Sequence, residues 1–152
     1  MDLSRGFFIF GIVFASIKAE LTLYRFSSEC FMPKMVLIVE DYEDTRQFMR
    51  FLVETYGYNV IEAADGIEAI DQVKQLHPDL VLMDISLPVV DGLTATRAIR
   101  EFYGDSKPPI IAVSAFGKYY LEKAIEAGCD DLIDKPVDFD VLEPVLHQYL
   151  AA

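Results

Sequence analysis

The sequence predicts an α/β domain, a doubly wound parallel sheet of five strands with helices on both faces. Three observations predict it. Five short apolar runs recur, each followed by a stretch with helical spacing, the pattern of parallel strands joined by helical crossovers. The runs are mostly unbroken rather than alternating, as strands covered on both faces require. Four of the five end on a polar or charged residue, where open α/β sheets carry their chemistry. At 152 residues the chain is long enough for one domain with a proper core and too short for two ordinary ones.

The elements follow in order. Met35 to Val39 is a buried strand that runs straight into Glu40 and Asp41. A helix is predicted from about Glu43 to Tyr56, with Thr45, Phe48, Met49, Leu52, Val53 and Tyr56 on one face and Gly57 as its stop. Glu43 and Asp44 fall in its first turn, where acids favour the helix dipole. Tyr58 to Ala63 is a second strand, and Asp65-Gly66 turns into a helix carrying Ile67, Ile70, Val73 and Leu76. The third strand, Leu80 to Met83, ends on the carboxylate of Asp84, with turn-forming Pro88 and Asp91-Gly92 just beyond. A third helix turns Leu93, Thr96, Ile99 and Tyr103 or Phe102 inward and stops at Gly104. Pro109 to Ser114 is the fourth strand, and Lys118 to Ala127 a helix closed by Gly128. Asp131 to Asp134 is the fifth strand, followed by Lys135-Pro136 and a last helix with Val141, Leu142, Val145, Leu146 and Tyr149 on one stripe. Right-handed crossovers between five such units fit the flavodoxin-like strand order 2-1-3-4-5.

Hydrophobic residues make up 53% of the chain, so it is globular, and its net charge of -12 argues against duplex nucleic acid or an anionic membrane as a direct partner. That balance suits a cation site or a basic protein surface. Cys30 and Cys129 lie far apart without a C-x-x-C, so they form neither a disulfide framework nor a zinc site. They read as reduced thiols in a reducing compartment, the cytoplasm. His77 and His147 have no ligand partner at useful spacing and read as solvated.

Residues 1–33 differ from the rest. Gly6 to Ile17 is one apolar run between Arg5 and Lys18, too short for a membrane-spanning helix of about 20 residues. It has the length of a signal-peptide core, but Asp2 weakens the basic region before it and no clear cleavage site follows. Three readings stand: an upstream-extended reading frame whose natural start is Met32 or Met35, a real element packing on the domain or a partner, and a membrane-proximal anchor. The domain proper is expected over residues 34–152.

In a parallel sheet all strands point the same way, so Glu40-Asp41, Asp84, Ser114 and Lys135 converge on one edge. With the first and third strands adjacent, Asp41 and Asp84 are neighbours. Clustered carboxylates raise one another's pKa unless something compensates. A divalent cation and Lys135 are the two remedies available, and hard oxygen ligands suit Mg²⁺ better than zinc. A carboxylate beside Mg²⁺, a hydroxyl and a lysine is a competent phosphoryl acceptor: the carboxylate attacks while Ser114 and Lys135 hold phosphoryl oxygens.

From Met35 onward the chain resembles the receiver domains of two-component response regulators. The motifs that carry the resemblance are Val39-Glu40-Asp41, Met83-Asp84-Ile85, Leu87-Pro88-Val89-Val90-Asp91-Gly92, Val113-Ser114-Ala115 and Asp134-Lys135-Pro136. The resemblance implies that Asp84 is the phosphoacceptor. Mg²⁺ would be bound directly by Asp41, mainly through a water by Glu40, and by the backbone carbonyl of Ser86. Ser114 would be the hydroxyl that moves to the phosphoryl group, Lys135 the salt-bridge lysine, and Lys135-Pro136 a cis peptide. A histidine kinase or histidine phosphotransfer protein would supply the phosphoryl group. Output would pass to a downstream protein target, and a homodimer through the fourth helix, fifth strand and last helix is one option. One position departs from the family: Leu132 stands where a switch aromatic is common. Phe116, Tyr119 and Tyr120 are candidates to take over as the phosphorylation-sensitive surface. With no output domain after Ala152, the chain is expected to act as a single-domain regulator, or to be the receiver of a hybrid kinase. The alternative from another class is a Mg²⁺-dependent hydrolase with an aspartyl nucleophile, which would need a second acid where Ser86 stands. Dinucleotide binding is a weaker reading still, since no G-x-G-x-x-G follows the first strand.

Overall fold

A computed structural model describes residues 33–104 and 107–151. The expectations for the apolar N-terminal segment and for Cys30 lie outside the described residues.

The elements are β1 (Met35–Val39), α1 (Glu43–Thr55), β2 (Asn59–Ala63), α2 (Gly66–Leu76), β3 (Leu80–Asp84), α3 (Gly92–Tyr103), β4 (Ile110–Ser114), α4 (Gly117–Ala127), β5 (Asp131–Asp134) and α5 (Phe139–Leu150). The sheet has the order β2-β1-β3-β4-β5 and every pairing is parallel, as the sequence predicts.

The apolar runs are unbroken because successive side chains feed two different cores. Leu37, Val39, Val81, Met83, Ile110 and Ala112 point to the face covered by α2, α3 and α4, where they meet Ala69, Val73, Leu93, Ile99 and Ala124. Val36, Ile38, Leu80, Leu82, Ile111, Val113 and Ile133 point to the face of α1 and α5, against Met49, Leu52, Val53, Leu142 and Leu146. That alternation also decides which way each strand-end residue faces.

Three helix faces differ from the reading by spacing. In α1 Met49, Leu52 and Val53 are buried, but Phe48 is half exposed at the rim. In α2 the packing is carried by Gly66, Ala69 and Val73, while Ile67 and Leu76 face solvent. Small residues at the contact let α2 lie close to the sheet, so the larger side chains flank it. In α3 Tyr103 turns inward and Phe102 outward. Tyr56 is the C-cap of α1 rather than part of it.

The loops that end on the site are held locally. Asp91 caps α3 by accepting the Thr94 N–H at 2.9 Å and its hydroxyl at 2.8 Å. Gly92 then passes so close under β3 that a Cβ there would overlap the main-chain oxygen of Asp84. Between Pro88 and Val90 the chain makes a γ-turn, Val90 N–H donating to the Pro88 carbonyl at 2.7 Å. Its central residue, Val89, sits at φ +64° with 86% of its surface exposed.

Candidate functional site

The alternation that builds the two cores also sorts the strand ends. Glu40, Asp84 and Lys135 follow the parity of Ile38, Leu82 and Ile133, so they leave the sheet on the α1/α5 side. Lys135 donates from Nζ to Glu40 Oε2 at 2.7 Å and to Asp84 Oδ2 at 3.0 Å, joining three strands. Both carboxylates are buried and each keeps a second partner. Glu40 Oε1 accepts the Tyr42 N–H at 3.2 Å, and Asp84 Oδ1 accepts the Ser86 N–H at 2.9 Å. Asp41, half-buried, completes an acidic cluster: one oxygen from each of Glu40, Asp41 and Asp84 can be chosen so that all three lie within 4.8 Å.

Electrostatics follow from that crowding. Burial pushes the Glu40 carboxyl above its ordinary range, and the Asp84 charge adds to this; the hydrogen bonds from Lys135 and Tyr42 offset only part. Burial alone would lower Lys135, but its hydrogen bonds and charge attraction to Glu40 and Asp84 outweigh that and raise it. The lysine is therefore held charged between two acids. Three oxygen donors with one shared lysine leave an excess of negative charge, and an all-oxygen donor set of this kind fits a hard divalent cation such as Mg²⁺.

Ser114, Leu132 and Asp134 have the opposite parity and face the α4 side. The Ser114 hydroxyl is buried and accepts the Phe116 N–H at 3.0 Å, so it is engaged with its own loop. Asp134 Oδ1 accepts the Gly117 N–H at 2.8 Å and thereby caps α4 from a neighbouring strand. Leu132 is half-buried beneath the same glycine, its Cδ2 2.7 Å from where a Gly117 Cβ would lie. Phe116 and Tyr119 are exposed, Tyr120 packs edge-on against Tyr119, and Lys123 stands 4.1 Å over the Tyr119 ring. The sequence-predicted residues thus form two groups: the acids with Lys135 on one side, and the hydroxyl, Leu132 and the aromatics on the other. Ser86 is exposed at the mouth.

Two roles in the site region are not read from strand ends alone. The capping of α4 by Asp134 could have been found from its strand parity. Arg46 could not: it donates to the main-chain oxygen of Glu40 at 2.8 Å, a need that arises only when β1 ends. Cys129 is a free, buried thiol, and burial raises its pKa. His77 is exposed, as expected; it ends α2 at φ +49° and contacts the Tyr103 hydroxyl. The Lys135–Pro136 peptide is cis.

Residues 36–147 match the response regulator receiver domain family. The polar-differentiation response regulator DivK of Brucella ovis is 39% identical over 120 residues, covering 78% of this chain and 98% of that protein. Among solved structures, the receiver domain of the sensor histidine kinase PA1611 from Pseudomonas aeruginosa PAO1 superposes with a TM-score of 0.73 at 32% identity. It covers 79% of this chain and 99% of that one, and carries a magnesium ion in its active site cleft. A co-crystal of the Saccharomyces cerevisiae histidine phosphotransfer signaling protein Ypd1 with the receiver domain of its downstream response regulator Ssk1 also contains a similar chain. That match has a TM-score of 0.72 at 27% identity and covers 78% of this chain and 90% of that one.

Proposed function

The chain belongs to the response regulator receiver domain family, and from that membership we propose that Asp84 is the carboxylate that accepts a phosphoryl group from a phosphohistidine. The observation that carries this reading is Lys135, whose one ammonium bridges buried Glu40 and buried Asp84 beside Asp41. An Asp84 oxygen attacks phosphorus, the phosphorus–nitrogen bond to the donor histidine breaks, and the imidazole nitrogen leaves with the bonding pair. Lys135 and the Ser114 hydroxyl hold phosphoryl oxygens; Ser114 must first let go of the Phe116 N–H. Glu40, Asp41, Asp84 and the Ser86 carbonyl would hold Mg²⁺, which supplies neutralising charge to the phosphoryl oxygens when bound. The domain catalyses its own side of the transfer and slowly hydrolyses the aspartyl phosphate; it is a signalling module of two-component systems rather than a classical enzyme.

The donor is a histidine kinase or a histidine phosphotransfer protein, in keeping with the Ypd1 complex of the Ssk1 receiver. An apolar hollow of about 490 Å³ beside Lys135, lined by Thr45, Phe48, Met49, Pro136 and Val137, is the surface we assign to the donor's approach. Phe116, Tyr119, Tyr120 and Leu132 form the surface that signals onward to a protein target, or to a second copy through α4, β5 and α5. The functional unit is residues 34–152, working in the cytoplasm, with residues 1–33 outside it.

Incubation with acetyl phosphate and Mg²⁺, followed by intact mass, tests the reading. One added phosphate that disappears in Asp84→Asn is the expected result. Absence of the adduct, or its persistence in Asp84→Asn, refutes the assignment. Multiple turnover of a general phosphatase substrate would favour an aspartyl hydrolase instead.

A further inference from the structure

The peptide joining Glu40 to Asp41 is where two of the acids meet, and its orientation decides where both carboxylates point. Its two neighbouring polar groups are held differently. The Glu40 N–H continues the sheet ladder to the Ala63 carbonyl at 3.1 Å. The Glu40 carbonyl has no strand partner, since β1 has ended, and a buried carbonyl needs one. Arg46, one turn into α1, supplies it with a guanidinium N–H at 2.8 Å.

The same guanidinium sits with Nε 3.5 Å from Glu62 Oε1 on β2, and Glu62 Oε2 in turn accepts from Arg50 at 2.7 Å. Arg46 is only 18% exposed at its side chain, so its fork is fixed by packing as well as by these contacts. Among the described residues its ion pair is with Glu62 and not with Glu40, Asp41 or Asp84. It therefore differs from Lys135: it touches the backbone that aims the acids, and leaves their oxygens free. The fork reaches the carbonyl through Nη1 and Glu62 through Nε, two donors held apart in one plane, a geometry that the single nitrogen of a lysine does not reproduce.

The geometry points to Arg46 as a positioning residue for the cation site, with Glu62 as the acid that orients it. This rests on the reading of Glu40, Asp41 and Asp84 as that site. Groups that orient ligands without touching the metal commonly carry about 10–100-fold in metal affinity.

The test is Mg²⁺ titration of the full chain followed by the Asp41 and Tyr42 amide resonances, with urea unfolding of each variant in parallel. Arg46→Ala and Arg46→Lys are expected to weaken Mg²⁺ binding about tenfold, and Glu62→Gln by a smaller factor. Arg50→Ala removes an ion pair of the same network but leaves the Glu40 carbonyl contact, so its affinity stays within about twofold. If Arg46→Ala loses stability but binds Mg²⁺ like the wild type, Arg46 is only structural and the proposal is overturned. It is equally overturned if Arg50→Ala weakens binding as much as Arg46→Ala. Should Arg46→Ala fail to fold, Arg46→Lys decides by the same criterion. Failure of the wild-type chain to bind Mg²⁺ would instead refute the cation site itself.

Discussion

Replacing Val89 by glycine should stabilise the protein. Val89 is the middle residue of the γ-turn after Pro88, with φ +64°. Positive φ brings Cβ against the following carbonyl, and a β-branched side chain suffers most; the strain is about 1–3 kcal/mol. Glycine removes it at no steric cost but brings back about 0.5–1 kcal/mol of unfolded-chain freedom. The side chain itself contributes little, since 86% of the residue is exposed and only a fraction of a valine's usual burial energy of about 1.5–3 kcal/mol is at stake. The balance favours glycine by about 1 kcal/mol, or about 3–5 °C in Tm for a domain of this size. Val89→Ala keeps a Cβ in the same region and should lie within about 0.5 kcal/mol of the wild type. Urea unfolding followed by far-UV circular dichroism measures both variants at equal m-value. A Val89→Gly midpoint at or below that of the wild type would refute the reasoning, because the turn would then be unstrained or the exposed valine would be making contacts.

Three further outcomes follow from the same geometry. Glu40 binds its proton more tightly folded than unfolded, so its favourable contribution is present below the unfolded carboxylate value and lost as pH rises through the folded one. Without Mg²⁺, Glu40→Gln should therefore gain on the wild type in urea midpoints as pH rises above about 4.5, and a relative loss over that rise would contradict the assignment. Gly92→Ala drives a Cβ into the Asp84 main-chain oxygen and should cost about 2–3 kcal/mol, together with most phosphorylation by acetyl phosphate; wild-type behaviour in both assays would show that the loop yields freely. Beryllofluoride should change the rotamers of Phe116, Tyr119 or Tyr120, read by side-chain NMR; no change at any of the three would remove them as the signalling surface.

The parts of the fold written in long-range patterning were legible. Strands covered on both faces must be apolar runs, so β1, β3 and β4 are plain in the sequence and their polar ends stand out. The structure brings Glu40, Asp41, Asp84 and Lys135 together as the parallel topology requires. Ser114 ends its strand beside them, yet its hydroxyl is turned to Phe116, because residue 114 shares its parity with Ala112 rather than with Val113. Packing that depends on smallness was not legible: Ala69 and Gly66 give α2 no strong apolar signal, whereas Ile67 and Leu76 give one and are exposed. Arg46 answers a carbonyl that loses its ladder partner only in three dimensions. Val89 contradicts its own backbone preference, so no propensity could have placed it in that turn.

The ammonium of Lys135 reaches an acid 95 residues earlier in the chain and another 51 residues earlier. Loops of that length close late because their entropy must be met before the contact returns anything. A chain whose β5 has not yet docked would carry the three acids without their lysine, and repulsion among them would hold that edge of the sheet open. The counter-charge for Glu40 and Asp84 thus comes only with the end of the last strand, so the electrostatics of this edge depend on the whole sheet being in place.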